Sequence, residues 1–273
     1  LAGFAHPAER KQLDEEHVAL AQQSFDLVQA YRGYLRLIFD CLEVGDGAEA
    51  DRHIAAVAAL SKRLRQAQYQ WKVPLLGAMR AIMAGQFAQA KELHHAAAEL
   101  APKGQAFTQL SLTLHSWCRQ RIAEQPIEAL ALVAQIRADV VRLPQFFQSA
   151  TAVMAANTYA QLGDRSKTRA ALDLFLSQPR PTNFLFNFLC LLAEPCLLLG
   201  DTAWAAELYP VLLPNAEYFR SDVNGMVVDP PVSQPLGLLA MTLGRMDDAV
   251  CHLEDALARS EASGLVSCLA RLR

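Results

Sequence analysis

Residues 78–102 read AMRAIMAGQFAQAKELHHAAAELAP. One apolar run closes at Gly85 and a second begins almost at once. Ala90, Leu93, His94, Ala97 and Leu100 fall at i, i+3, i+4, i+7 and i+10, a continuous helix face. Glycine supplies the left-handed backbone that ends a helix. A small residue five positions later lets the second helix close against the first, and Pro102 with Gly104 stops it. The segment predicts two antiparallel helices, residues 68–84 and 87–100, joined at Gly85-Gln86.

The unit recurs along the chain as Gly45…Ala50, Gly85…Ala90, Glu124…Ala129, Gly163…Thr168, Gly200…Ala205 and Gly244…Ala249. Successive turns are 40, 39, 39, 37 and 44 residues apart. A near-constant period of this size predicts an array of about six helical hairpins. Gly-Asp at 45–46, 163–164 and 200–201 adds an aspartate suited to cap the next helix. Glu124 replaces the turn glycine in the third copy, and Thr168 the small alanine in the fourth. The β-branched doublets Val140-Val141 and Val227-Val228 are too short to predict strands, so the expected class is all-α. Residues 1–24 read as a lead-in helix and 25–273 as the repeat domain. Residues 214–235, with Asn224-Gly225, Pro230-Pro231 and Pro235, read as an irregular loop or flap.

Hydrophobic residues make up 52% of the 273 and charged ones 19%, a composition that supports a packed core. The net charge of −3 and the lack of a Lys/Arg-dense stripe argue against direct nucleic-acid binding. Six cysteines are scattered singly through apolar runs, which predicts free thiols in a reducing, cytoplasmic setting. The most apolar stretch, 185–199, is interrupted by Asn187, Glu194 and Pro195 and is too short to span a bilayer, so no membrane association is expected. The chain opens on Leu1 and ends at Arg273 inside a helical pattern, which reads as a fragment of a longer protein.

The string Gly85-Gln86-Phe87-Ala88-Gln89-Ala90, followed by His94, Ala97 and Pro102, resembles the second half of a tetratricopeptide motif. LGDTAWAAELYPVLLP (199–214) and LGRMDDAVCHLEDAL (243–257) are similar. The period near 40 resembles the longer repeats of bacterial signalling ATPases, including regulators linked to adenylate-cyclase or transcription-factor domains. The likeness spans residues 25 to 260. It implies a tetratricopeptide-like superhelix serving as an interaction or sensor module, with the signalling domains elsewhere in the parent chain. No GxxxxGK[ST] loop occurs, so no ATPase activity follows from it.

In such a superhelix the first helix of each hairpin lines the groove. Thirteen residues before each turn stand Arg32, Lys72, Ser111, Ala150, Asn187 and Pro231; six before stand Phe39, Met79, Cys118, Asn157, Glu194 and Leu238. Asn183, Asn187 and Glu194 share one face of an apolar helix. A carboxylate there needs a partner: a ligand in the groove, or a neighbour such as Arg169. The candidate ligand-binding residues are therefore Arg32, Lys72, Asn157, Asn183, Asn187 and Glu194. Arg80 and Arg119, five before successive turns, either clamp an anion or tie neighbouring hairpins through acidic residues. His94-His95 diverge around the helix, His115 and Cys118 offer two ligands without a third, and His53 and His252 are isolated, so neither a metal nor another cofactor is expected.

Two functions follow as expectations. One is a non-catalytic module binding a protein segment or small effector in its groove. The other is a small-molecule-binding or enzymatic domain whose 214–235 flap closes over Asn157, Asn187 and Glu194, with Glu194 as general base. A homodimer through Leu265, Val266, Leu269 and Leu272 is a further expectation.

Overall fold

The computed structural model describes residues 7–142, 145–177, 186–221 and 228–269. Its helices run in sequential antiparallel pairs, and the backbone at the reversals explains why. φ is +84° at Gly45, +73° at Gly85, +72° at Gly163, +67° at Gly200 and +72° at Gly244. In this region a side chain clashes with its own carbonyl, and glycine has none. Glu124 adopts the same conformation at +56°. We therefore expect Glu124→Gly to stabilise the fold by about 0.5–1 kcal/mol, read as a rise in the urea midpoint at unchanged slope.

The pairs are α1 (Pro7–Gln23) with α2 (Leu27–Glu43), and α2 in turn with α3 (Gly47–Leu64). A single-turn α4 (Ala67–Gln70) leads to α5 (Lys72–Met83) with α6 (Phe87–Leu100) and α7 (Ala106–Ile122) with α8 (Pro126–Asp139). Then come α9 (Gln145–Gln161) with α10 (Arg165–Leu176), and α11 (Phe186–Leu191) leading into α12 (Ala193–Leu199), which turns into α13 (Thr202–Leu212). The last pair is α14 (Ser233–Thr242) with α15 (Met246–Ser263). Asp46, Asp164 and Asp201 cap α3, α10 and α13, each carboxylate accepting from the backbone N–H three residues on at 2.9–3.1 Å. The residue five beyond each turn is sealed in. Ala50, Ala90, Ala129, Thr168 and Ala205 have no exposure, and Ala249 has 2%.

The lead-in helix is more than a leader. It reverses at Phe25 (φ +55°) and packs along α2, so closely that a Cβ on Gly33 would lie 2.6 Å from a Val18 methyl.

The chain is mostly helical, as expected, but the segment between α13 and α14 adds a short strand pair where an irregular loop was expected. After a 3₁₀ turn at Leu213–Asn215, β1 (Phe219–Ser221) pairs antiparallel with β2 (Val228–Pro231), in the register Phe219↔Pro231, Arg220↔Asp229 and Ser221↔Val228. All seven strand residues are buried, while Pro214 and Glu217 are exposed and residues 222–227 lie outside the described residues. Phe219 and Val228 join a core built from α2, α3 and α5, packing with Phe39, Leu42, Val57 and Met79. Ser221 donates to a Glu43 carboxylate oxygen at 2.6 Å, a contact 178 residues apart in sequence.

Leu265 and Cys268, past α15, enter that same N-terminal core. Of the residues expected to supply a dimer face, Leu265 is buried in this core, Leu269 is half-buried and Val266 stays 52% exposed; Leu272 lies outside the described residues. In an open solenoid each repeat touches only its neighbours. Here the strands and the segment after α15 strap the last helices to the first.

Candidate functional site

The polar centre of the molecule begins with a proline. Pro195 has no N–H to give the carbonyl of Leu191, four residues earlier, and the helix breaks at Leu192 between α11 and α12. The orphaned Leu191 carbonyl accepts instead from the Asn157 amide on α9, at 3.0 Å. The same Nδ2 donates to a Glu194 carboxylate oxygen at 3.0 Å. Asn157 is 1% exposed and Glu194 half-buried. Asn157 therefore repairs the helix break and orients the carboxylate together.

The strands close over this pair. Arg121, from the end of α7, donates to Asp229 on β2, and Arg220 on β1 faces the other oxygen of Asp229 at 3.5 Å. Side-chain exposure is 5% for each arginine and 10% for Asp229. Burial alone would depress the Arg121 guanidinium, but the adjacent Asp229 carboxylate outweighs it and holds the group above its ordinary value. The Arg121 guanidinium also lies 5.3 Å from the centre of the Trp117 ring. Arg220 Nε donates to the Pro230 carbonyl at 3.2 Å.

Arg121, Asn157, Glu194, Arg220, Asp229 and Gln234 line a common cavity of about 20 Å³, roughly the space of one water. Arg121 Nε, Arg220 Nη1 and Asn157 Oδ1 are buried and make no hydrogen bond with any described residue. Cys190, in the same wall, is pushed up by burial to about 12, so it stays a neutral thiol rather than a nucleophile.

Of the residues singled out from sequence, Asn157 and Glu194 meet here. Arg32 is exposed on α2, and the Lys72 ammonium sits 5.2 Å over the Trp71 ring; neither lines the cavity. Asn183 lies outside the described residues, and of Asn187 only the helical backbone is described. Arg169 pairs with Asp201 at 2.8 Å rather than with Glu194. Arg80 grips Asp51 with two hydrogen bonds of 2.8 and 2.9 Å and ties α5 to α3. Phe39, Met79 and Cys118, expected on the groove, are core residues. Sequence reading missed Arg121, Arg220 and Asp229. Arg220 and Asp229 stand opposite each other only because of strands too short to be read from pattern.

Two histidine clusters lie elsewhere. His94 and His115 stack with their Nδ1 atoms 3.1 Å apart. Burial lowers His94 to about 4 and His115 to about 3, so both rings stay neutral through the physiological range. On the first hairpin, Cys41, Glu49 and His53 bring a thiol, a carboxylate and an imidazole within 4.8 Å of one another.

Comparison with protein-family models, with curated proteins and with solved structures gives no match for this chain. Among the described residues no helix is long and apolar enough to cross a membrane.

Proposed function

We propose that the chain is a non-catalytic recognition module, tetratricopeptide-like in its repeat, that belongs to a larger bacterial signalling protein and binds a protein segment or small effector. The site is the cavity where α7, α9 and α12 meet the strands. One observation carries the reading: two buried polar atoms of residues that line it, Arg121 Nε and Asn157 Oδ1, make no hydrogen bond with a described residue. Burying such an atom unsatisfied costs about 1–3 kcal/mol, and a ligand presenting an acceptor to the Arg121 guanidinium and a donor to the amide oxygen recovers it. The cavity is smaller than any such ligand, so binding moves the segment formed by β1 and β2. Because that segment straps the first helices to the last, an occupied site alters the spacing of the two ends, which is the signal an attached domain reads. The repeated turns and the buried small residue after each support the family likeness.

A second reading, a small-molecule or enzymatic site with Glu194 as base, is favoured by the Asn157 amide that holds the Glu194 carboxylate beneath the same strands. Native mass spectrometry of the purified chain and of Glu194→Gln, before and after mild denaturation, tests both. A bound mass on the wild type, released on denaturation and reduced in the variant, is the expected result. A mass converted to another on incubation with wild type but not with Glu194→Gln establishes the enzymatic reading. Equal occupancy in both chains removes the cavity from the proposal.

A further inference from the structure

The first hairpin carries a second constellation, which shares no residue with the cavity. Cys41 lies four residues before the turn at Gly45, and Glu49 lies four after it. Cys41 and Glu49 meet across the antiparallel pair, and His53 follows Glu49 by one helical turn on the same face of α3. Cys41 has no exposure, while the Glu49 and His53 side chains retain 22% and 16%, which leaves one side of the cluster reachable from solvent. His53 Nε2 is itself buried, faces Glu49 Oε1 at 3.9 Å and makes no hydrogen bond with a described residue. The Lys11 ammonium of α1 contacts the other oxygen of Glu49 and occupies the place of a counter-cation.

We propose that Cys41, Glu49 and His53 form a binding site for a borderline-soft divalent cation of the zinc class. A thiolate, an imidazole and a carboxylate are the ligand types zinc prefers, and three protein ligands with water in the fourth position make an open tetrahedral site. Bond lengths of about 2.0–2.3 Å to the metal set tetrahedral ligand atoms about 3.3–3.7 Å apart, so the trio, already within 4.8 Å, closes by rotamer adjustment alone. On binding, the metal–sulfur bond forms as the Cys41 thiol proton leaves to solvent. Lys11, on the open side, swings away from Glu49. The bound ion staples α2 to α3 at the base of their turn.

The test uses the full chain in a Cys251→Ser background, since Cys251 is the exposed cysteine. The protein is stripped with a chelator and titrated with Zn²⁺ against a chromophoric competitor, and in parallel with Co²⁺. One zinc per chain is expected, with a sulfur-to-cobalt charge-transfer band. Losing even an outer-shell partner costs metal sites about 10- to 100-fold in affinity, so Cys41→Ser, Cys41→Ala and His53→Gln are each expected to weaken zinc by at least about 100-fold. Lys11→Ala removes the competing cation and is expected to tighten it, a change of sign that a purely structural cluster does not produce. Circular dichroism confirms the fold of each variant, and His53→Gln carries the test should both Cys41 variants fail to fold. Absence of zinc binding, or equal affinity in the folded ligand variants, overturns the proposal.

Discussion

Asp229→Ala is expected to destabilise the protein by about 3–5 kcal/mol, the cost of removing one partner from a buried ion pair. Asp229 is the carboxylate nearest to both Arg121 and Arg220, and the two guanidiniums are each 5% exposed at the side chain. Deleting it leaves two like charges facing each other away from water, with the Glu194 carboxylate a smaller influence on Arg121. The loss reaches beyond the pair, because β2 holds Val228 in the N-terminal core and registers β1, which carries Phe219 and the Ser221–Glu43 bond. Urea unfolding followed by circular dichroism gives the value. A buried charge cluster is specific rather than intrinsically stabilising, so replacing all three members together, Arg121→Met, Arg220→Met and Asp229→Leu, is expected to recover much of the loss through apolar packing. If Asp229→Ala keeps its unfolding free energy within about 0.5 kcal/mol of the wild type, the range of an ordinary surface substitution, the strands do not strap the molecule together.

The helices and their reversals were legible because the forces that set them are local. A left-handed residue, a capping aspartate and a small residue five positions on all lie within two helical turns of one another, and the period located even Glu124, which lacks the glycine signal. Phe25 escaped notice because it takes the same conformation with neither a glycine nor a place in the period. The two strands went unread for another reason: β1 has three residues and β2 four, two of them prolines, and what fixes them is contact with distant parts of the chain. Arg121 and Asp229 are 108 residues apart, and no helical periodicity links them.

Asn157 and Glu194 were readable as polar residues in an apolar setting. The proline that creates the need for Asn157 was also visible, although the identity of the donor that answers it was not. Of Cys41, Glu49 and His53, only the Glu49–His53 pair, one helical turn apart, was within reach of sequence reasoning; Cys41 joins them through the packing of α2 on α3. The histidines were tested along single helices rather than across a turn, so the trio was passed over.

Ala90→Leu and Ala205→Leu each test the hairpin alignment itself and are expected to cost about 1–3 kcal/mol by overpacking. Both alanines have no exposure and sit in the first turn of the second helix of their pair. The tightness of such approaches is visible in the last pair, where a Cβ on Gly237 of α14 would lie 3.3 Å from the Ala249 carbonyl oxygen and 2.7 Å from Leu253 of α15. Close-packed interiors transmit added volume as strain instead of absorbing it, so the extra methylenes must push the helices apart or force poor rotamers. Ala88→Leu and Ala206→Leu are the controls. Both are exposed on the same helices, α6 and α13, and both should stay within about 0.5 kcal/mol of the parent, since leucine and alanine differ little in helix propensity. Thermal midpoints of the four variants separate the explanations. A drop confined to positions 90 and 205 shows that the small residue after each turn sets the helix spacing. Equal midpoints in all four would mean that the recurring alanine has no packing role, and the sequence period would then have to be explained by the turns alone.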